Sequence, residues 1–256
     1  MIPLINCCID VGLRNLAFCI MNDKYEILLL NVFNVLNDND YFCKNFLKNG
    51  KICNKKCTMK YSENNNNTST IVYTCKTHFP KNITITKHNS YKKKNINNYL
   101  LQDIAIQFIN TIQSIFNENR IIFDLINNFY IELQPKCNAK MKFISHILYG
   151  KLIDLYLHKN VSIRYVKASL KLKVYKGPPI ECLLKNKYSQ RKWLSIEYCK
   201  WFFEHLFSED QKQKWLPFFL SFKKADDLAD VILMNLNVIN GLNTKQLTHK
   251  NGNSLK

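Results

Sequence analysis

The chain has 256 residues, 46% hydrophobic and 12% aromatic, which excludes wholesale disorder and suffices for one full core carrying a substantial insertion. Its 37 Lys and Arg against 19 Asp and Glu give a formal +18 spread along the sequence, a balance that suits a polyanionic partner, nucleic acid first; a Lys- and Asn-favouring A+T-rich genome is the plainer source of the same charge. No stretch approaches the roughly 20 apolar residues of a membrane-spanning helix, and the opening MIPLINCCIDVGLRN lacks the basic start and apolar run of a signal peptide. The expected setting is therefore intracellular, with no membrane partner. The 10 cysteines are then expected to be reduced, and the N-x-[ST] matches at Asn66, Asn67 and Asn82 lose any glycosylation meaning.

In chain order, LINCCI ending in Asp10-Val11-Gly12, then NLAFCIM and YEILLLNVF, predict two or three β-strands at hairpin spacing. From about residue 37 to 95 the composition turns to Asn, Lys, Thr and Cys around the run Glu63 to Asn67, which reads as an insertion. Leu101, Ile104, Ala105, Phe108, Ile112 and Ile115 then recur at helical intervals between Tyr99 and Phe116. Phe129 to Leu133 reads as a strand closed by Gln134-Pro135. Met141, Ile144, Leu148, Leu152 and Leu155 mark a second helix over 138–158, and Val161 to Val166 a further strand, completing a strand, helix, strand unit of the kind that needs a parallel sheet. Lys167 to Tyr188, with Gly177-Pro178-Pro179, reads as a surface loop. Helices are expected over 190–206 and 225–240, and a frayed polar tail over 241–256.

Four acids stand where an apolar element would not favour them. Asp10 ends the first strand, Glu132 lies inside a later one, and Asp227 and Asp230 open the last helix on one face, one turn apart. The helix dipole accounts for part of that last pair, and Asp226 pairs equally well with Asp230 at four residues' spacing. Taken together the acids form a candidate divalent-metal site: clustered carboxylates repel unless cations separate them, and Mg²⁺ favours such oxygen ligands. Two ions would activate a water and stabilise the leaving 3′ oxygen of a phosphodiester.

In the insertion, Cys53-x3-Cys57 and Cys75-x2-His78 form two ligand pairs suited to tetrahedral Zn²⁺, with Cys43 as a spare ligand. Unrelated reduced cysteines are the plainer alternative. Cys7, Cys8, Cys19, Cys137, Cys182 and Cys199 fall on or near apolar elements and read as small core residues. His146 and His158 read as solvated or packed, and Trp193, Trp201, Phe202 and Phe203 as core or dimer interface.

The segment Cys8-Ile9-Asp10-Val11-Gly12-Leu13-Arg14-Asn15-Leu16-Ala17 resembles the first-strand motif of the poxvirus-type Holliday junction resolvases and their mitochondrial relatives. Tyr130 to Gln134 with Lys140-Met141-Lys142 is similar to their second motif, and Lys224 to Asp230 to their third, in the same order. The resemblance covers residues 1–35 and 96–240. It implies an α/β fold of the RNase H-like class, a mixed sheet flanked by helices over 1–36 and 96–240, with 37–95 inserted. It further implies a homodimer that nicks four-way DNA junctions in pairs with Mg²⁺, for which Mn²⁺ substitutes, during DNA recombination, replication or repair. Asp10, Glu132, Asp227 and Asp230 would be the catalytic metal ligands, with Asp226 in reserve for Asp227 and either Lys167 or Lys171 as the assisting lysine. The Cys-rich insertion is a departure from the poxvirus pattern that points to another large DNA virus, acting in the host cytoplasm or at a viral replication site. The competing readings are an RNase H-like nuclease on RNA–DNA hybrids or other branched DNA, and a non-catalytic zinc-stabilised DNA-binding protein.

Overall fold

The computed structural model describes residues 3–36, 41–65, 68–92, 95–135 and 138–252; Asn66, Asn67 and Cys137, singled out above, lie outside them. The chain divides into two compact units, residues 1–35 with 101–256, and 36–100, against the 37–95 insertion read from composition.

The first unit opens with a meander, β1 (Ile5–Val11), β2 (Asn15–Asn22) and β3 (Ile27–Asn34). The chain leaves for the second unit, where β4 (Met59–Asn65) and β5 (Thr68–Thr74) form an antiparallel hairpin. It returns as α1 (Leu101–Glu118), the short α2 (Arg120–Phe123), β6 (Asn128–Leu133), α3 (Ala139–Leu155) and β7 (Ser162–Lys167). A 3₁₀ stretch, Ala168–Val174, then leads to α4 (Lys187–His205), α5 (Glu209–Ser221) and α6 (Ala225–Gly252).

The five strands of the first unit lie in the order β3-β2-β1-β6-β7. The meander pairs are antiparallel, whereas β6 lies parallel to both β1 and β7. This is the mixed sheet flanked by helices expected from the sequence, and its parallel half follows from the crossovers through α1 and α3.

Alternation sends the two sides of each strand into different cores. On one side Phe18 meets Phe123 edge-on and Phe129 packs with Phe116 and Tyr156. On the other, Cys8, Ala17, Cys19 and Tyr130 join Leu228, Val231, Ile232 and Phe203 in a second core. Each large side chain so buried stabilises the fold by roughly 1.5–3 kcal/mol. Buried Asn235 donates to the Cys19 carbonyl at 2.7 Å, tying α6 to the middle of the sheet. Almost every residue from Leu228 to Ile239 is buried, as expected of a helix with apolar partners all round.

Four differences from the sequence reading concern elements with weak local signals. The segment after β7 is no simple surface loop, since its 3₁₀ stretch buries Val174. Helix α5 went unread, although Ser208 caps it by accepting from the Gln211 N–H and Glu209 and Asp210 fill its first turn. Helix α6 continues through Gly241 to Gly252 where a frayed tail was expected. Cys182 is half-exposed rather than core, while Cys7, Cys8, Cys19 and Cys199 are fully buried.

Candidate active site and a cysteine–histidine cluster

The parallel register of β1 and β6 sets Cys8 opposite Tyr130 and Ile9 opposite Ile131, and one further step brings Asp10 beside Glu132. Both carboxylates then share the face that carries Cys8 and Tyr130, toward α6. They are hydrogen-bonded to each other, and Asp10 is pushed well above the usual carboxylate range by burial and then by the neighbouring Glu132 and Asp230 charges.

The turn after Asp10 leaves no room for a side chain. The Gly12 N–H donates to the Asn15 carbonyl at 2.9 Å, and a Cβ on Gly12 would stand 2.6 Å from that same oxygen. The closed turn presents Asn15, whose Nδ2 donates to Asp227 Oδ2 at 3.1 Å.

Asp230 enters from α6. Its pKa is raised from 3.8 to about 6, chiefly by burial and against the pull of Lys171. The Lys171 ammonium bridges Asp230 and Glu132, standing 3.3 Å from the latter's Oε1. Burial alone would pull this lysine down, but the Asp230 and Glu132 charges outweigh it and its pKa is raised. Lys167, the other sequence candidate, pairs with Leu133 on the neighbouring strand and so alternates away from the Glu132 face. The 3₁₀ stretch is what delivers Lys171.

The structure thus brings Asp10, Glu132, Asp230 and Lys171 together, while Asp226 and Asp227 hold partners of their own. Lys192, unremarked in the sequence, forms an ion pair with Asp226. Asn15 was also unassigned, although it lies within the first motif. His146 stands at the Tyr165 hydroxyl, 3.3 Å away, and Phe202 and Phe203 are buried beside α6 with Trp201 packed against them.

Three largely buried carboxylates gathered around one ammonium form an all-oxygen set whose mutual repulsion a divalent cation would relieve. Such hard donors fit Mg²⁺. Deprotonated, the group has the charge to hold such a cation, which would polarise a water or a phosphoryl oxygen as a Lewis acid.

The second unit holds a different donor set. The ligand atoms of Cys43, Cys53, Cys75 and His78 all lie within 4.8 Å of one another. Cys53 Sγ is 3.8 Å from Cys75 Sγ, and His78 Nδ1 is 3.4 Å from both Cys43 Sγ and Cys75 Sγ. A tetrahedral Zn²⁺ with its usual bond lengths requires edges of about 3.8 Å between sulfurs and about 3.6 Å between sulfur and nitrogen. Burial alone would raise the Cys75 thiol, but the His78 backbone N–H and the surrounding Cys43, Cys53 and His78 side chains lower it to about 6. This group could hold a metal. The group differs from the ligand set read from spacing: Cys43, the spare, stands in it, whereas Cys57 is a buried neighbour outside the four.

Among the described residues no helix is long and apolar enough to cross a membrane.

No family model matches the chain. An uncharacterised protein of Acanthamoeba polyphaga mimivirus is 31% identical, over 79% of this chain and 50% of that protein, so the chain spans about half the length of the curated relative it matches. Among solved structures, a yeast mitochondrial Holliday junction resolvase overlays with a TM-score of 0.42 at 14% identity, over 91% of this chain and 77% of the other. Thermus thermophilus RuvC in complex with a Holliday junction substrate overlays with a TM-score of 0.37 at 7% identity, over 93% and 96%.

Proposed function

We propose that the protein is a Mg²⁺-dependent, structure-selective endonuclease that resolves four-way DNA junctions. The observation that carries this reading is the convergence of Asp10, Glu132 and Asp230 on the Lys171 ammonium at the ends of two adjacent parallel strands. The three sequence motifs that resemble junction resolvases are the ones that supply those carboxylates.

Asp10, Glu132 and Asp230, with Asp227 alongside, would hold two Mg²⁺ ions, and bound metal would supply water activation and stabilisation of the leaving 3′ oxygen. The chain's own groups prepare for this. Asp10 and Asp230 retain protons more readily than ordinary carboxylates and must lose them to bind a cation. Lys171 keeps Glu132 and Asp230 together until then and afterwards carries positive charge beside the scissile phosphate. Asn15 holds Asp227 at the start of α6.

Paired nicks need two such sites related by a two-fold axis, so the active species in this reading is a homodimer with an isologous interface. The Cys43, Cys53, Cys75 and His78 group takes Zn²⁺, a structural ion with no open position. The similarity to a mimivirus protein supports a viral source, with the host cytoplasm or the viral replication site as the place of action.

The test is cleavage of a labelled mobile four-way junction beside linear duplex and an RNA–DNA hybrid, with Mg²⁺, Mn²⁺ or neither. Symmetric metal-dependent nicks at the junction are expected. Glu132→Gln should keep junction binding and lower cleavage by about 10²–10³-fold, the scale for losing one preorganised polar group from an active site. Preference for the hybrid, or no cleavage with either metal, would overturn the assignment.

A further inference from the structure

The second unit is far more basic than its size requires. Residues 36–100 contain twelve lysines, no arginine and three acids, so about a quarter of the chain carries a net +9, half of the total +18. Between Cys43 and Cys57 there are five lysines, 44, 48, 51, 55 and 56, and no acid. All five are exposed.

These lysines lie on a defined backbone. Residues 41–57 fold back on themselves: the Cys57 N–H donates to the Tyr41 carbonyl, Cys43 to Lys55, Cys53 to Asn45 and Leu47 to Lys51, all at 2.7–2.8 Å. Gly50, at φ 77°, closes the tip. The apolar side chains on this finger point outward. Phe42, Phe46 and Ile52 are 51%, 69% and 57% exposed, and the buried cluster beneath is little more than Cys43, Cys57 and Cys75 with Tyr41, Cys53 and Tyr73 against it. A core that small does not order a finger by hydrophobic burial alone. The metal-ligand group, which joins Cys43 and Cys53 at the finger's base to Cys75 and His78 beyond the β4–β5 hairpin, supplies the missing closure.

We propose that the second unit is a metal-closed DNA-binding module, in which one Zn²⁺ on Cys43, Cys53, Cys75 and His78 orders the 41–57 finger so that its lysines contact the phosphodiester backbone. An ordered row of exposed lysines gains affinity by releasing counterions from each phosphate it neutralises. Phe46 and Ile52, bridged across the finger and exposed, form an apolar spot among the lysines, and unstacked bases at a branch offer apolar faces to meet it. The choice of DNA as the polyanion rests on the function proposed above.

The experiment uses the full chain, with binding of a labelled four-way junction and a linear duplex measured between about 50 and 200 mM salt. The triple variant Lys44→Gln, Lys48→Gln, Lys51→Gln should keep one zinc per chain, lose at least about tenfold in affinity, and show a log–log salt slope shallower by about 2–3, since each phosphate contact contributes about 0.9. Cys53→Ser should lose zinc and show a similar drop in affinity. An unchanged slope and affinity in a zinc-replete triple variant would overturn the proposal, as would loss of zinc with DNA affinity intact. If the unsubstituted chain cuts junctions while the triple variant binds normally, this inference alone falls; if the unsubstituted chain binds neither DNA, the junction-resolving assignment falls with it.

Discussion

Asn15 and Asp227, 212 residues apart in the chain, are joined by a hydrogen bond of 3.1 Å from Asn15 Nδ2 to Asp227 Oδ2. It links the first turn of the sheet to the first turn of the last helix, the two places from which the acidic site is assembled. Replacing Asn15 by Ala should cost about 1.5–3 kcal/mol, the usual range for a hydrogen bond to a charged group, and reduce cleavage. Asn15→Asp should be worse, because it sets a like charge against Asp227. Urea midpoints and single-turnover cleavage rates check both, and a neutral outcome for Asn15→Asp would remove Asp227 from the site.

Gly12 makes a second expectation. Its missing Cβ would stand 2.6 Å from a backbone oxygen that cannot rotate away, so Gly12→Ala must open the turn that carries Asn15. A loss of about 1–3 kcal/mol is expected, seen as a lower urea midpoint at unchanged slope. Cleavage should fall further than stability alone explains.

The raised carboxylates set a pH dependence. Asp230 titrates near 6 in the fold against an ordinary 3.8, so the fold favours its protonated form. In metal-free protein this contribution to stability is complete below about pH 4 and is lost as the pH rises through about 6. The protons on Asp10 and Asp230 must leave for a cation to bind, so stabilisation by Mg²⁺ should grow from pH 5 to 7. Thermal unfolding across that range, with and without Mg²⁺, tests it; Asp230→Asn should flatten both trends.

Lys171 is expected to matter more than Lys167. Lys171→Met leaves Glu132 and Asp230 without their shared cation and raises Asp230 further, so metal-free stability should decrease at neutral pH and the acidic limb of the cleavage profile should move upward. Lys167→Met, on the opposite face of β7, should leave that limb in place. Equal profiles for the two variants would contradict the assignment of Lys171.

Metal analysis of purified protein distinguishes the two candidate ligand sets. Cys43→Ser should lose zinc, whereas Cys57→Ser should retain close to one equivalent, because Cys57 lies beside the ligand group and not in it. The reverse result would restore the set inferred from spacing.

Much of this architecture is written in local pattern. The short apolar runs LINCCI and NLAFCIM, the 3.6-residue recurrence from Leu101 to Ile115 and the apolar run after Asp230 specify strands and helices, the runs because every face of those elements is buried and the recurrence because one face is. Asp10, Glu132 and Asp230 stood out for the opposite reason: each interrupts such a pattern, and the fold brings the three together. Cysteine spacing likewise marked the insertion as the place of a group that could hold a soft metal. Tertiary structure decided which groups meet. Lys171 could not be told from Lys167 along the chain, because the choice depends on strand alternation in β7 and on a 3₁₀ stretch too short to leave a periodic signature. Cys43 displaced Cys57 because backbone pairing within the 41–57 finger, not distance along the sequence, sets where each sulfur points. The partners of Asp226 and Asp227 came from α4 and from the β1–β2 turn for the same reason: periodicity reports the face a residue occupies, and only packing reports what faces it.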